Sequence, residues 1–318
     1  MTDSKPAVSV LVVSDYGGRT AEDWDYLRNT LGALGRQDFD ERVEVLLVDS
    51  TPDGQRMPAD LLRIIPSLRV VANSAATAGE LLNTAVDSAS AELVALLDGD
   101  CAPAAGWLRA AVGAVRTHPD VVAVSGRTTY PGRRFTCRVL AALSRSFLDP
   151  GGPGPTRFIS NNNAIFRRDV LLRHPLPAFP RPLAARLQTE TIRLAGGALY
   201  FEPRMRVVHR FEGWSMERRI RRHVGYRAIR VRQLDPRVPH AWMLRLGIFS
   251  IPLICAARTL DSWWDCLRAG QFYGLRWFEL PAAFATAVFV HLLEVGGMMA
   301  AFAEARSTAA PSRSCPGR

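Results

Sequence analysis

Residues 8–124 alternate short apolar runs with stretches of helical periodicity, and this alternation constrains the fold more than any other feature. The apolar runs are VSVLVVS, VEVLLVDS, LRVVANS, ELVALLDGD and VVAVSGR, and the helical stretches between them include WDYLRNTLGALG, GELLNTAVDSA and GWLRAAVGAVRTH. Near-continuous apolar strands are typical of a parallel sheet whose two faces are covered by helices. The sequence therefore predicts an α/β fold with a mostly parallel sheet.

Polar residues follow several of these strands. In open α/β sheets, ligands bind at the carboxyl ends of the strands, so we expect these residues to share one rim. The predicted donor-side residues on that rim are Asp15, Tyr16, Asp49, Asn73, Asp98 and Asp100.

The pair Asp98 and Asp100 flanks Gly99 at the end of a buried run. Clustered carboxylates repel each other unless a cation lies between them, and an oxygen-rich site of this kind suits Mg²⁺ or Mn²⁺ holding a diphosphate. An isolated Asp-Gly turn is the alternative interpretation. The residues that follow, CAPAAGWL, lack the alternating oxygen ligands of a calcium loop.

Charge and cysteine content restrict the compartment and the partners. The net charge of +10 indicates an anionic partner. The charge alone does not distinguish nucleic acid, a lipid surface and a phosphorylated substrate. The five cysteines form no C-x-x-C pair, so we expect reduced thiols in the cytosol. The N-terminus enters a strand without an apolar leader, and we therefore expect a protein that is not secreted.

The middle of the chain, residues 129–182, is rich in Pro, Gly and Arg and is expected to form loops around a helix at 139–148 and a strand within FISNNNAIFRRDVL. A helix at 183–194 and two strands, ALYFEP and MRVVHRF, are predicted to follow. We expect this region to form the second half of a cleft.

The last third contains the two most apolar stretches, residues 241–257 and 280–303. Each is interrupted by polar residues or proline, and tryptophans and arginines flank both, as in a membrane-interface belt. We predict membrane association, with a buried hairpin of a soluble domain or homodimer interface as the alternative. Residues 305–318 are predicted to be disordered.

In order along residues 7–210, the sequence resembles the family 2 glycosyltransferases of the GT-A fold. The segments that carry the resemblance are VSVLVVS, TLGALGRQDF, VEVLLVDS, the stretch from ANSAATAGELL through DGDCAPAAGWL, SNNNAIFRRDVL and GGALYFEPRMRVVH. The resemblance implies a nucleotide-sugar donor held by Asp49 with Tyr16 or Asp15 at the base, Asp98 near the ribose or metal, and Asp100 on the cation. It also implies acceptor-side roles for Asn162 and Asn163 and a metal or phosphate ligand in His209.

The catalytic base departs from the family pattern. The family opens the helix before its Gly…Tyr-x-x-Pro segment with a Glu-Asp pair, whereas this chain reads RPLAARLQTETIRLAGG, in which Glu190 is the only acid. An inverting transfer to a hydroxyl needs a carboxylate within hydrogen-bond reach, so Glu190 is the candidate base. A lipid phosphate acceptor would already be ionised and would depend less on a catalytic base.

An arginine-rich segment, ERRIRRHVGYRAIRVRQLD, is predicted to be a basic amphipathic helix within residues 213–240. Arginines bind phosphates bidentately and attract anionic head groups, so Arg218 and Arg222 are candidate phosphate contacts for a lipid-linked acceptor.

We therefore predict a glycosyltransferase domain at 1–212, a basic linker at 213–240, a membrane-associated region at 241–304 and an inverting, metal-dependent transfer at the cytoplasmic membrane face. The alternatives are a sugar-phosphate nucleotidyltransferase, for which Arg19 would be the residue to test, and a non-catalytic basic protein binding membrane or nucleic acid. No nucleic-acid motif occurs in the sequence.

Overall fold

A computed structural model describes residues 5–14, 21–49, 57–72, 78–179, 181–211 and 213–309. The strands in these ranges are β1 Val8–Ser14, β2 Val43–Asp49, β3 Leu68–Ala72, β4 Leu93–Asp98, β5 Cys101–Pro103, β6 Val121–Thr129, β7 Gly154–Pro155, β8 Asn163–Arg167 and β9 Ala198–His209. The α-helices are α1 Ala21–Gly35, α2 Leu61–Ile64, α3 Ala78–Ser88, α4 Trp107–Thr117, α5 Phe135–Arg145, α6 Arg168–Arg173, α7 Arg181–Leu194, α8 Trp214–Leu234, α9 Ser250–Ala269 and α10 Leu280–Ala309. Short 3₁₀ helices occupy Ser146–Leu148, Ala241–Phe249, Gly270–Tyr273 and Trp277–Glu279.

The described strands form one sheet in the order β3-β2-β1-β4-β8-β6-β9-β5, and β7 also pairs with β9. β1 pairs in parallel with both β2 and β4, and β2 pairs in parallel with β3. β8 lies antiparallel between β4 and β6, whereas β6 and β9 are parallel. Six of these strands share one direction, which confirms the predicted α/β class with a mostly parallel sheet.

Both faces of the sheet are covered, as the near-continuous apolar strands predict. In β1, Val10 and Val12 pack with α1 and α4, while Leu11 and Val13 pack with α3 and α6 on the other face. The alternation follows from the two-residue period of a strand, and it explains why a fully buried strand needs apolar residues at every position.

The segment predicted as two strands, ALYFEP and MRVVHRF, is the single strand β9. Proline cannot donate a ladder hydrogen bond, yet Pro203 lies within this strand. The strand instead continues through an irregularity, where the register with β6 shifts between Gly126 and Arg127. A Cβ at Gly126 would clash with Met205 and Asn163, so only glycine fits opposite this irregularity.

Other predicted boundaries also move. The helix expected at 139–148 is α5 followed by a 3₁₀ turn, and the strand expected within FISNNNAIFRRDVL is confined to β8, with α6 directly after it. Of the tail predicted to be disordered, residues 305–309 are the end of α10, and the remainder lies outside the described residues.

The chain forms two compact units: the first comprises Met1–Phe211 and Arg268–Gly274, and the second comprises Glu212–Leu267 and Leu275–Arg318. In the first unit, Arg127 forms a buried ion pair with Asp149 at 2.7 Å, and its guanidinium lies 4.7 Å from the ring of Phe272. This cation–π contact packs the short segment 268–274 into the first unit.

In the second unit, α8 and α10 pack closely because glycines occur at the contact. A Cβ on Gly225 would clash with the backbone of Glu294, and a Cβ on Gly297 would clash with the backbone of Arg222. By length and composition, the helical segments Ala241–Tyr273 and Trp277–Ala305 could each cross a membrane.

The adjacent glycines of α10 give a matched test of this packing. Gly297→Ala should lower the free energy of unfolding by about 1–3 kcal/mol, because the new methyl group overpacks against Arg222. Gly296 has open space around its Cβ position, so Gly296→Ala should be neutral or stabilising by up to about 1 kcal/mol through helix propensity. Thermal unfolding of the full chain in detergent measures both, and equal melting temperatures for the two variants would contradict the close packing.

Candidate metal and donor site

The turn between β4 and β5 carries Asp98 and Asp100. Gly99 N donates to Val13 O at 2.8 Å, which ties the turn to the end of β1. Arg210 N donates to Asp100 O at 3.0 Å, which ties it to the residue after β9. The turn is therefore held by backbone hydrogen bonds from two different strands.

His209 reaches the turn through strand pairing. β5 is antiparallel to β9, and Cys101 lies opposite His209 in the register. Directly opposed residues of an antiparallel pair project to the same face, so both side chains lie beside the aspartates. The ligand atoms of Asp98, Asp100, Cys101 and His209 all lie within 4.8 Å of one another.

The hydrogen bond of His209 determines which ring nitrogen faces this cluster. Nδ1 lies 2.7 Å from Arg210 O, and since a carbonyl can only accept, Nδ1 carries the proton. In the neutral imidazole, Nε2 then presents a lone pair, and it lies 3.8 Å from Asp100 Oδ1. Two electron-rich atoms facing each other in a nearly buried site favour a cation between them.

The donor set fits a divalent cation. Carboxylate oxygens suit Mg²⁺ and Mn²⁺, whereas imidazole and sulfur suit softer ions, so the mixture favours Mn²⁺ over Mg²⁺. Cys101 is a member that the sequence analysis did not assign to the site, because an isolated thiol after a strand carries no spacing signal. Its position opposite His209 depends on pairing between segments far apart in the chain.

Asn162 and Asn163 differ in their surroundings. Asn162 Nδ2 donates to Cys101 Sγ at 3.7 Å, which places it next to the cluster. Asn163 is fully buried; its Oδ1 accepts from Trp107 Nε1 at 2.8 Å, and its Nδ2 donates to Met205 O at 3.0 Å. These bonds give Asn163 a structural role, since they hold α4, β8 and β9 together.

The donor-side carboxylates lie at neighbouring strand ends. Asp49 is in register with Ser14, and Asp98 is in register with Val13. Asp49 is fully buried and Asp98 is half-buried. The other predicted donor-side residues, Asp15, Tyr16 and Asn73, lie outside the described residues.

Glu190, the candidate base, lies on α7 with its carboxylate 2.6 Å from Arg193 Nη2. The same helix contacts the segment before β8, because Asn161 Nδ2 donates to Gln188 Oε1 at 3.5 Å. Glu190 is thus a carboxylate held by a neighbouring arginine.

The predicted phosphate contacts on α8 belong to the second unit. Arg218 and Arg222 are exposed, whereas Arg221 and Arg232 are buried. Arg232 donates to Ala228 O and Pro239 O, and burial, followed by the charge of Arg258, lowers the pKa of Arg232 to about 10. Some arginines of this helix are therefore buried and make contacts within the second unit.

The profile of Glycosyl transferase family 2 matches residues 20–174, which include α1 to α6 and the Asp98–Asp100 turn. These residues form a family 2 glycosyltransferase domain. This domain makes the chain a glycosyltransferase, as the resemblance implied.

Two solved structures share the GT-A fold with this glycosyltransferase. A mannosyltransferase from Pyrobaculum calidifontis, solved in complex with GDP-Man and Mn²⁺, has a TM-score of 0.53 and 19% identity, covering 98% of this chain and 89% of that chain. TarS from S. aureus has a TM-score of 0.50 and 16% identity, covering 91% of this chain and 54% of that chain. No curated protein matches the sequence.

Removal of the imidazole tests the cluster directly. His209→Ala should weaken Mn²⁺ binding by about 10- to 100-fold, because a nitrogen ligand aimed at Asp100 is lost. The control is His118→Ala, whose ring instead packs on Tyr200 at 4.3 Å. Electron paramagnetic resonance of free Mn²⁺ measures binding without an assay of activity, and equal affinity of the His209→Ala and wild-type proteins would exclude His209 as a ligand.

Proposed function

We propose that the chain is an inverting, divalent-metal-dependent glycosyltransferase that transfers a sugar to a lipid-linked acceptor at the cytoplasmic face of the cell membrane. The observation that carries the metal dependence is the position of His209, whose Nε2 lies 3.8 Å from Asp100 Oδ1 within a cluster of four candidate ligand atoms. The Mn²⁺ in the Pyrobaculum structure is consistent with this proposal.

Asp98, Asp100 and His209 hold Mn²⁺ or Mg²⁺ in this proposal, and Cys101 borders the same space. A cation held by these residues would supply Lewis-acid stabilisation of the charge on the departing diphosphate. Asp49, Asp15, Tyr16 and Asn73 bind the nucleoside, because they follow neighbouring strands at the rim where α/β sheets bind nucleotides.

Inversion requires the acceptor oxygen to attack the anomeric carbon opposite the bond to the diphosphate. The new carbon–oxygen bond forms while the bond to the diphosphate breaks, and the leaving diphosphate takes the electron pair. A hydroxyl acceptor also loses a proton, for which Glu190 is the proposed base. A lipid phosphate has an ionised oxygen and transfers no proton.

The second unit supports a lipid-linked acceptor. Arg218 and Arg222 are exposed cations that fit phosphate oxygens. Trp242, Trp264 and Trp277 are each more than 60% exposed, which is unusual for an aromatic side chain unless it meets another apolar surface. Similar transfer rates to water-soluble sugars and to lipid acceptors would contradict this part of the proposal.

Nucleotide titration tests the donor site. In detergent, the full chain should bind one of the UDP, GDP and dTDP sugar conjugates when Mn²⁺ is present. Asp100→Ala should abolish the metal-dependent part of this binding, because a carboxylate that would hold the cation is lost. Asp120→Ala, at an exposed carboxylate after α4, is the control and should bind normally. Equal binding by Asp100→Ala, or binding unaffected by metal removal, would refute a metal bridge.

The base is tested with two acceptor classes. Glu190→Gln should reduce turnover of a hydroxyl acceptor by about 10²- to 10⁴-fold, because no carboxylate accepts the proton. Turnover of a lipid phosphate acceptor should be unchanged. Arg193→Gln, which removes the partner of Glu190, is the companion variant. A hydroxyl acceptor that reacts equally well in Glu190→Gln would remove Glu190 from this role.

A further inference from the structure

The second unit exposes apolar stripes on two helices. On α9 the stripe comprises Leu253, Leu260, Trp264 and Leu267, which are 44–66% exposed. On α10 it comprises Val288, Phe289, Leu292 and Met299, which are 42–60% exposed. We call these residues the apolar surface. A soluble unit rarely leaves so many large side chains in water, so this surface fits a lipid environment.

The opposite face of α10 is buried and mostly apolar, with Val290, Met298 and Ala301 in it, but it also holds a polar cluster. Glu294 is fully buried and accepts hydrogen bonds from Arg221 at 3.0 Å and from Arg258 at 2.9 Å. His291 lies on the same face, and its Nε2 is 3.0 Å from Ser262 Oγ. Burial lowers the pKa of Arg221, but the carboxylates of Glu217 and Glu294 raise it more, so the pKa lies above its ordinary value. The two arginines compensate the buried charge of Glu294 inside the unit, while large apolar side chains of α10 also face outward.

α8 runs beside α10 over most of its length. Trp214 packs on Phe289 near the start of α8, and Tyr226 donates a hydrogen bond to Glu304 further along. The contacted part of α10, residues 289–304, is about 22 Å long, which is most of the hydrocarbon thickness of a bilayer.

The exposed side of α8 bears Arg218, Arg219, Arg222 and His223. If α10 crossed the bilayer, α8 would be carried into the hydrocarbon with these side chains. Arginine in that position is strongly disfavoured. Arginine at the head-group level is instead favoured by anionic phospholipids.

We propose that the second unit lies in a single leaflet, with the apolar surface among the acyl chains and the arginines of α8 at anionic head groups, so that neither α9 nor α10 crosses the bilayer. The inference rests on the membrane association proposed above and specifies its geometry. The composition of both helices alone would allow two crossings.

Cysteine accessibility in sealed inside-out vesicles tests this geometry. Arg245→Cys, Arg276→Cys and Glu304→Cys place thiols at exposed positions before α9, between the helices and near the end of α10. Asp120→Cys marks the catalytic unit, and the wild-type chain gives the background from native cysteines. With a membrane-impermeant maleimide, all four variants should be labelled to the same extent before and after detergent.

A crossing by α9 would put positions 245 and 276 on opposite sides, and a crossing by α10 would do so for 276 and 304. Protection of any of these thiols until detergent is added, with Asp120→Cys fully labelled, would overturn the proposal.

Flotation with phosphatidylcholine vesicles, with and without phosphatidylglycerol, separates this inference from the proposed function. Trp264→Asp should reduce the floated fraction on both, whereas Leu62→Asp, at an exposed leucine of the first unit, should not. The double variant Arg218→Gln and Arg222→Gln should float equally with both vesicle types, because it loses only the additional binding that phosphatidylglycerol gives the wild-type chain. If the wild-type chain floats with neither, membrane association itself fails; if it floats but thiols are protected, only the single-leaflet geometry fails.

Discussion

Parallel hydrogen bonding of β1 to both β2 and β4 is the constraint on which the rest of the catalytic unit depends. It sets Ser14 beside Asp49 and Val13 beside Asp98, so acidic side chains from distant parts of the chain end at one edge of the sheet. Asp98 and Asp100 at this edge have ligand atoms within 4.8 Å of each other, and like charges tolerate such proximity only with a cation or strong hydrogen bonding. The carbonyl of Val13 then receives Gly99 N, and the aspartate turn is oriented by the same strand that aligns the sheet.

β9 completes the site from the opposite end of the domain. Its irregularity beside Gly126 allows β9 to pair first with residues 121–126 of β6 and then with residues 127–129, while β5 pairs with the last residues of β9. His209 consequently lies opposite Cys101, and its own backbone neighbour, Arg210, fixes both the imidazole tautomer and the turn carbonyl of Asp100. A small change in this register would separate the imidazole from the carboxylates.

The second unit combines an apolar core with a buried charged cluster and an exposed apolar surface. Its centre holds Arg221, Arg258, Glu217 and Glu294, which are paired, while large apolar side chains face outward. Removing one partner of a buried pair costs about 3–5 kcal/mol, so the cluster strongly specifies how the three helices meet. Inserting an arginine at the bilayer centre costs roughly 2.5–3.5 kcal/mol on an insertion scale, which explains why α8 opposes a crossing by its partner helix.

The sequence by itself determined the α/β class, the parallel half of the sheet and the family, because apolar periodicity and strand-end aspartates are local features that read directly from residue order. It also indicated Asp98, Asp100 and His209, each by itself, as candidate metal ligands. Only the tertiary structure decided that Cys101 lies with these residues and that Asn163 is hydrogen-bonded to Trp107 and Met205. It also decided that ALYFEP and MRVVHRF are one strand. Each of these depends on the register between segments tens of residues apart, and local pattern carries no information about such long-range pairing.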